Sequence, residues 1–355
     1  MNDSSTDFWR ERALERLRDD APQGAVRSCF SKERDVVLFA DKPDAGGVGV
    51  NFLVEFFKSS LDARAELSLD EEILVRDVWS TSLYADGTPL TPCGDWETLC
   101  DDVADDYAFC ERSIRIEGGR RFSRRVFLAY CESLLAVVDE LNASTREREN
   151  PPLFEHRLNV PLGENVVGLE LRETREIELQ TTPRAPKDIA KKTPQKALNS
   201  EEESILQEIG NAPIARESKA LARVFPLVLP ERRDDATRGD FRAHVDSNTL
   251  ESTTTRRGSV LLAALVFDLN SRRVARPCTW RPLTVGENRE PVGEDVAVGR
   301  KLQLGREQYV FYASTSQRPA IRTILSRCLL SDFMIGKFTA ARGVETILDV
   351  EIVDD

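Results

Sequence analysis

Thirteen Asp and Glu stand against two Arg within residues 61–110, a balance of −11, while the whole 355-residue chain carries −12. A fold for this chain must spread that charge over solvent, neutralise it from a neighbouring segment, or present it to a partner. The next fifteen residues, 111–125, reverse the sign with six Arg (Arg112, Arg115, Arg120, Arg121, Arg124 and Arg125) against Glu111 and Glu117. A third change follows after about Arg172. Residues 184–196 hold five basic side chains and one acid, punctuated by Pro183, Pro186 and Pro194, with few large apolar groups to offset the entropy of ordering.

The length suits two domains of ordinary size. The longest apolar run, Val260 to Phe267, is far too short to span a bilayer, and the N-terminus lacks the basic and apolar regions of a secretory signal. Seven cysteines at irregular spacings, mostly among apolar neighbours, read as free thiols in a reducing compartment, and the expected location is the cytoplasm.

Apolar spacing predicts a helix near the start, capped by Thr6 or Asp7, with Phe8, Trp9, Ala13, Leu14 and Leu17 on one side. Val36 to Ala40 reads as a short buried strand. Residues 48–57 fit both periods, and a helix from about Asn51 is preferred. Two further helices are predicted. One is capped by Asp95, with Trp96, Leu99, Cys100, Val103, Tyr107 and Cys110 inward; the other has a stripe of Phe122, Val126, Tyr130, Leu134, Val137 and Leu141. Residues 151–171 turn β-like, Ser200 to Gly210 suggests a short capped helix, and His156 reads as a surface residue. Beyond Ala220 the pattern is of strands, with polar loops at 231–258 and 284–299.

The expected fold class is therefore α+β in two domains. Residues 1–171 form an acidic, helix-rich mixed α/β domain, 172–204 a flexible Pro/Lys-rich linker, and 205–355 a mainly antiparallel β domain of sandwich or open-barrel form.

Three sets of residues could carry function. Val36–Ala40, then Asp41, Asp44, Gly46, Gly47 and Gly49, outline strand, loop and helix, where backbone N–H groups could meet a phosphate; Arg120 and Arg121 could add guanidinium contacts. The spacing matches neither dinucleotide nor P-loop pattern, and a turn needing positive φ explains the glycines as well. Glu97, Asp101 and Asp105, with Asp102 and Asp106, recur at i, i+4, which is repulsive on a helix. Two arrangements answer that repulsion: antiparallel pairing with the arginine-rich 111–125, or a docking face for a basic protein partner. Only His156 and His244 are present for a Cys–His or Ser–His pair, no nucleophile elbow occurs, and the cysteine spacings lack the close pairs of a zinc site.

No catalytic residue, metal or cofactor is assigned. The expected role is a non-enzymatic interaction or adaptor protein of a multi-component assembly, docking through the acidic surface, with nucleic acid disfavoured by the field of the acidic half. A nucleotide- or phosphate-binding enzyme or sensor using the Gly46–Gly49 turn, and a self-assembling structural component, are the alternatives.

Overall fold

The computed structural model describes residues 3–20, 28–31, 33, 35–40, 49–143, 150–182, 218–235, 237–316 and 318–351. Among these, helix is confined to Asp3–Asp20 and the single turn Ser271–Val274; nearly everything else is antiparallel strand. Among the described residues no helix is long and apolar enough to cross a membrane. The expected helix-rich domain is thereby corrected, and the reason is layering.

The outer layer is a nine-stranded sheet. Its path runs Cys29–Phe30, Val36–Ala40, Val50–Phe56, Ala63–Leu69, Glu72–Ala85, Leu153–Pro161, Thr249–Arg257 and Gly239–His244, with Thr88–Pro89 pairing back onto Glu72–Ala85. The middle layer has eight strands: Val166–Glu170, Ile177–Thr181, Ala220–Pro226, Val260–Asp268, Leu134–Asn142, Arg120–Ala129, Tyr107–Ile116 and Glu97–Val103. A five-stranded sheet (Cys278–Leu283, Ala297–Leu304, Glu307–Ser314, Ser331–Thr339 and Gly343–Glu351) covers the other face of the middle layer. Phe333 stacks on Phe109 and Trp280 meets Phe225 edge-on across that interface. A four-stranded sheet ending in Arg322–Ile324 and Arg327–Leu329 then caps the far side, packing Ile324 and Leu329 on Val310, Tyr312 and Met334.

Strands buried on both faces lose the alternation of apolar and polar residues and read as continuous apolar runs. Every residue of Val260–Asp268 is buried, as are nearly all those of Arg120–Ala129 and Leu134–Asn142. The two predicted helices at 95–110 and 122–141 are therefore strand pairs, Glu97–Val103 with Tyr107–Ile116 and Arg120–Ala129 with Leu134–Asn142. The same cause explains residues 50–56. Val50, Phe52, Val54 and Phe56 face the core, but Leu53 is also buried, because the N-terminal helix lays Trp9, Ala13 and Leu17 over the outer face of the sheet. That helix occurs where expected, though Phe8 stays exposed.

Strands from before residue 172 and after residue 205 pair directly. Leu153–Pro161 lies beside Thr249–Arg257, and Leu134–Asn142 beside Val260–Asp268. Within the span expected as linker, Ile177–Thr181 pairs with Ala220–Pro226. The predicted helix at Ser200–Gly210 and the basic 184–196 stretch lie outside the described residues. Within the expected polar loop 231–258, Gly239–His244 and Thr249–Arg257 are a hairpin.

Candidate functional site

Burying a sheet on both faces also buries its charges, and each must find a partner there. Arg124 points toward the nine-stranded sheet and donates Nε and Nη2 to the two oxygens of Asp139, both at 2.7 Å, with a further bond to Thr81 Oγ1 at 3.0 Å. His156 Nε2 stands 3.3 Å from Asp139 Oδ2, and its ring stacks on Phe122. Burial alone would push the Asp139 carboxyl up, but the Arg124 guanidinium outweighs it and holds the group at about 2. Arg125, one residue on, points the other way. It pairs with Glu111 and Glu140 and lies over the Phe333 ring. These groups are sealed from solvent and hold layers together. His156 is thus corrected from a surface residue to a wholly buried one.

Among the described residues neither histidine pairs with a nucleophile. His244 is exposed and bonds Glu251 at 2.7 Å, whereas Cys278 meets Glu176 and Arg223. Burial, reinforced by Glu176, pushes the Cys278 thiol up to about 12, so it stays protonated at neutral pH. Among the described residues no group of three or more His, Cys, Asp or Glu is placed to hold a metal.

The acidic residues are not a helical face. Asp101 and Asp102 are neighbours on the strand Glu97–Val103, so their side chains go opposite ways. Asp101 accepts from the buried Arg112 at 2.5 Å, and Asp102 accepts from Tyr107 Oη at 2.6 Å. Glu97 lies 3.2 Å from Arg115 and 3.8 Å from Arg121, and Asp105 and Asp106 sit exposed in the turn before Tyr107. For Glu97 and Asp101, antiparallel pairing with the arginine-rich segment is thus the arrangement the chain adopts. Asp41, Asp44, Gly46 and Gly47 lie outside the described residues. Gly49 donates its N–H to Asp70. The flanking strands Val36–Ala40 and Val50–Phe56 are antiparallel neighbours, so the helix expected from about Asn51 is a strand. Arg120 folds over Gly118, donates to the Glu117 carbonyl at 2.7 Å and lies 5.6 Å from the Phe154 ring centroid; Arg121 starts the next strand position.

An open groove of about 610 Å³ lies elsewhere, at one end of the sandwich. The strand Thr249–Arg257 delivers Arg256 and Arg257 to it, Gly258 turns the chain with φ +77°, and the turn 293–296 supplies Glu294 and Asp295. Thr315, Ser316 and exposed Arg318 close the far wall. Glu294 is the organising group. Arg238 donates to both its oxygens at 2.9 Å, Arg256 at 3.0 Å and Arg300 at 2.8 Å. Against burial, Arg300 and Arg256 hold its carboxyl at about 2. Burial lowers Arg256 to about 10, which leaves it charged at neutral pH. Arg256, Arg257 and Arg318 line the groove against Glu294 and Asp295, with Arg238 and Arg300 behind Glu294, so cations are in excess there, and such planar donors suit carboxylate and sulfate groups. None of these groove residues stood out in the sequence, because Arg256 and Arg257 fell within the expected loop. The alternation of Leu250, Ser252 and Thr254 was the signal that the segment is a strand.

No family model matches the chain, and no curated protein matches it by sequence. Among solved structures, its fold is similar to that of a mutant heparan sulfate lyase HepC from Pedobacter heparinus, with a TM-score of 0.50 at 10% identity over 89% of this chain and 48% of that chain. The unmutated HepC gives a TM-score of 0.49 at 9% identity, covering 88% and 48%. A heparinase III structure gives 0.44 at 9% identity, covering 83% and 43%. The chain spans about half the length of the solved structures it matches. The expectation of a non-enzymatic adaptor or scaffold, with its alternatives of nucleotide sensor and structural component, is corrected on this ground: the fold is shared with a lyase, and the acidic docking helix does not exist.

Proposed function

We propose that this chain is the β portion of a lyase-type protein acting on an acidic polysaccharide, and that the groove at Arg256, Arg257 and Arg318 receives the carboxylate or sulfate groups of the sugar chain. The observation that carries this is the groove itself. Of its two carboxylates, Glu294 is committed to Arg238, Arg256 and Arg300, and Arg257 and Arg318 at the rim face solvent as two cations against the exposed Asp295. The shared fold with a heparan sulfate lyase supports the substrate class. Guanidiniums placed there would bind the polymer and screen the negative charge that any bond-breaking step beside a uronate carboxylate must accommodate. Among the described residues lining the groove there is no histidine, tyrosine or lysine, so the contribution assigned to it is binding and charge neutralisation.

The test is retention of heparan sulfate, heparin, hyaluronan and neutral dextran by the protein on affinity electrophoresis, with ultraviolet absorbance followed for unsaturated uronate product. An acidic polymer should be retained, less so as salt rises, and dextran should not. The double variant Arg257→Gln/Arg318→Gln should lose roughly tenfold or more in affinity, the size expected for two hydrogen bonds to charged groups. Equal retention by the variant, or no retention of any acidic polymer, would overturn the assignment.

A further inference from the structure

A second cleft, of about 390 Å³, lies in the hairpin between Tyr107–Ile116 and Arg120–Ala129, where Arg115, Arg120 and Arg121 stand against Glu117 around Gly118 and Gly119. Its position relative to the groove follows from strand register. Arg115 pairs with Arg121, Arg121 with Asn142, and the adjoining Leu141 with Val260, on four neighbouring strands of the middle sheet. Val260 lines the groove, and so does Ala143, whose N–H bonds Ser259. Three inter-strand spacings separate Arg115 from Val260, about 14 Å. Arg120 also rests on Phe154, three residues along the chain from Pro151, which lines the groove. The two clefts therefore lie at the same end of the middle sheet, with Arg115 and Arg121 projecting from the face opposite Val260, and guanidiniums stand at both.

We infer that an acidic polysaccharide runs across this end of the sheet, from the groove to the Gly118–Gly119 hairpin, where Arg115 and Arg121 form a second anionic subsite covered by Glu97 in the free protein. This rests on the function proposed above. Glu97 reaches Arg115 at 3.2 Å and Arg121 at 3.8 Å while about half exposed, as is Arg121, and Arg115 is more exposed still. Exposed ion pairs of this kind are weak and screened, so a sulfate or carboxylate on a chain already held in the groove can displace the glutamate. The consecutive positive φ angles of Gly118 and Gly119, +80° and +75°, let the loop turn tightly enough to bring both arginines to one side.

The experiment is calorimetric titration of the full chain with a heparin tetrasaccharide and a heparin decasaccharide, in sulfated and desulfated forms. Wild-type protein should bind the longer saccharide several-fold more tightly. Arg115→Gln/Arg121→Gln should reduce the decasaccharide affinity toward that of the tetrasaccharide and leave the tetrasaccharide unchanged. Glu97→Gln, at an exposed position that tolerates the change, should raise decasaccharide affinity several-fold, which loss of a merely structural ion pair would not do. A sulfate-specific subsite predicts that desulfation removes the length advantage; a carboxylate subsite predicts that it survives. Equal binding of both lengths by wild-type protein, or no gain in Glu97→Gln, overturns the second subsite while leaving the groove intact. Tighter binding of a single-stranded oligonucleotide of matched charge would assign this end of the sheet to nucleic acid instead. Failure of both saccharides to bind would remove the underlying function as well.

Discussion

Replacing Asp139 with Asn should be among the most damaging isosteric changes available to this protein. The carboxylate receives two bonds of 2.7 Å from Arg124 and stands 3.3 Å from His156, and all three side chains are sealed between sheets. The amide of Asn turns one acceptor into a donor facing a donor and leaves the guanidinium without a counter-charge. Breaking a buried pair from one side costs about 3–5 kcal/mol. The titration of the group gives a consistent figure. A carboxyl lowered from 3.8 to about 2 is worth roughly 2–3 kcal/mol at about 1.4 kcal/mol per pH unit, and the misplaced donor adds to that. Because the folded value lies below the unfolded one, this stability is present in full above about pH 4 and is lost as the pH falls toward 2. Urea unfolding followed by tryptophan fluorescence should show the variant destabilised by about 3–5 kcal/mol at neutral pH, with a shallower fall in acid than the wild type. Arg124→Met/Asp139→Leu, which removes both charges, should recover much of the loss. A cost under about 1 kcal/mol for Asp139→Asn, or an unchanged acid slope, would show that the cluster is solvated or unformed.

Two further outcomes are expected. Brief maleimide labelling of native protein, read by mass spectrometry, should modify Cys93, Cys131 and Cys328, which are exposed, and spare Cys110 and Cys278, whose thiols burial pushes up to about 12; rapid labelling of Cys110 would contradict the packing of the middle sheet. Gly239→Ala should lower the melting temperature sharply, since φ is +126° and a Cβ would stand 1.9 Å from the Thr253 carbonyl oxygen. The φ strain alone costs about 1–3 kcal/mol, so an unchanged melting temperature would place that strand differently.

The parts of the fold legible in the sequence are those whose environment is set locally. The N-terminal helix has one solvated side, so Trp9, Ala13 and Leu17 show its period; Val260–Phe267 shows a fully buried strand by the length of its apolar run. Gly343–Glu351 has Leu348 buried between half-exposed and exposed neighbours, and its alternation was equally plain. The middle sheet was illegible because its charges are paired at a distance. Arg124 and Arg125 look like the solvent side of a helix until Asp139 and Glu140, fifteen residues on, are seen beside them across the strand pair. Phe122, Val126 and Leu134 then fall on a helical stripe only because both faces of each strand are apolar. Of the candidate site, Arg120 and Arg121 were visible as a cluster, but Arg257 and Arg318 come together from segments sixty residues apart, which no local period can report.

The strand order of the middle sheet has a consequence for synthesis. Leu134–Asn142 joins Arg120–Ala129 on one side as soon as both exist, but its other neighbour, Val260–Asp268, begins about 120 residues later. At roughly 5–20 residues per second, translation leaves that apolar edge open for roughly 6–24 s. During that interval the nascent chain offers an unpaired, hydrophobic template to any other strand in reach. Yield in vivo should therefore depend on translation rate and on chaperones that occupy strand edges, more than on the stability of the finished molecule.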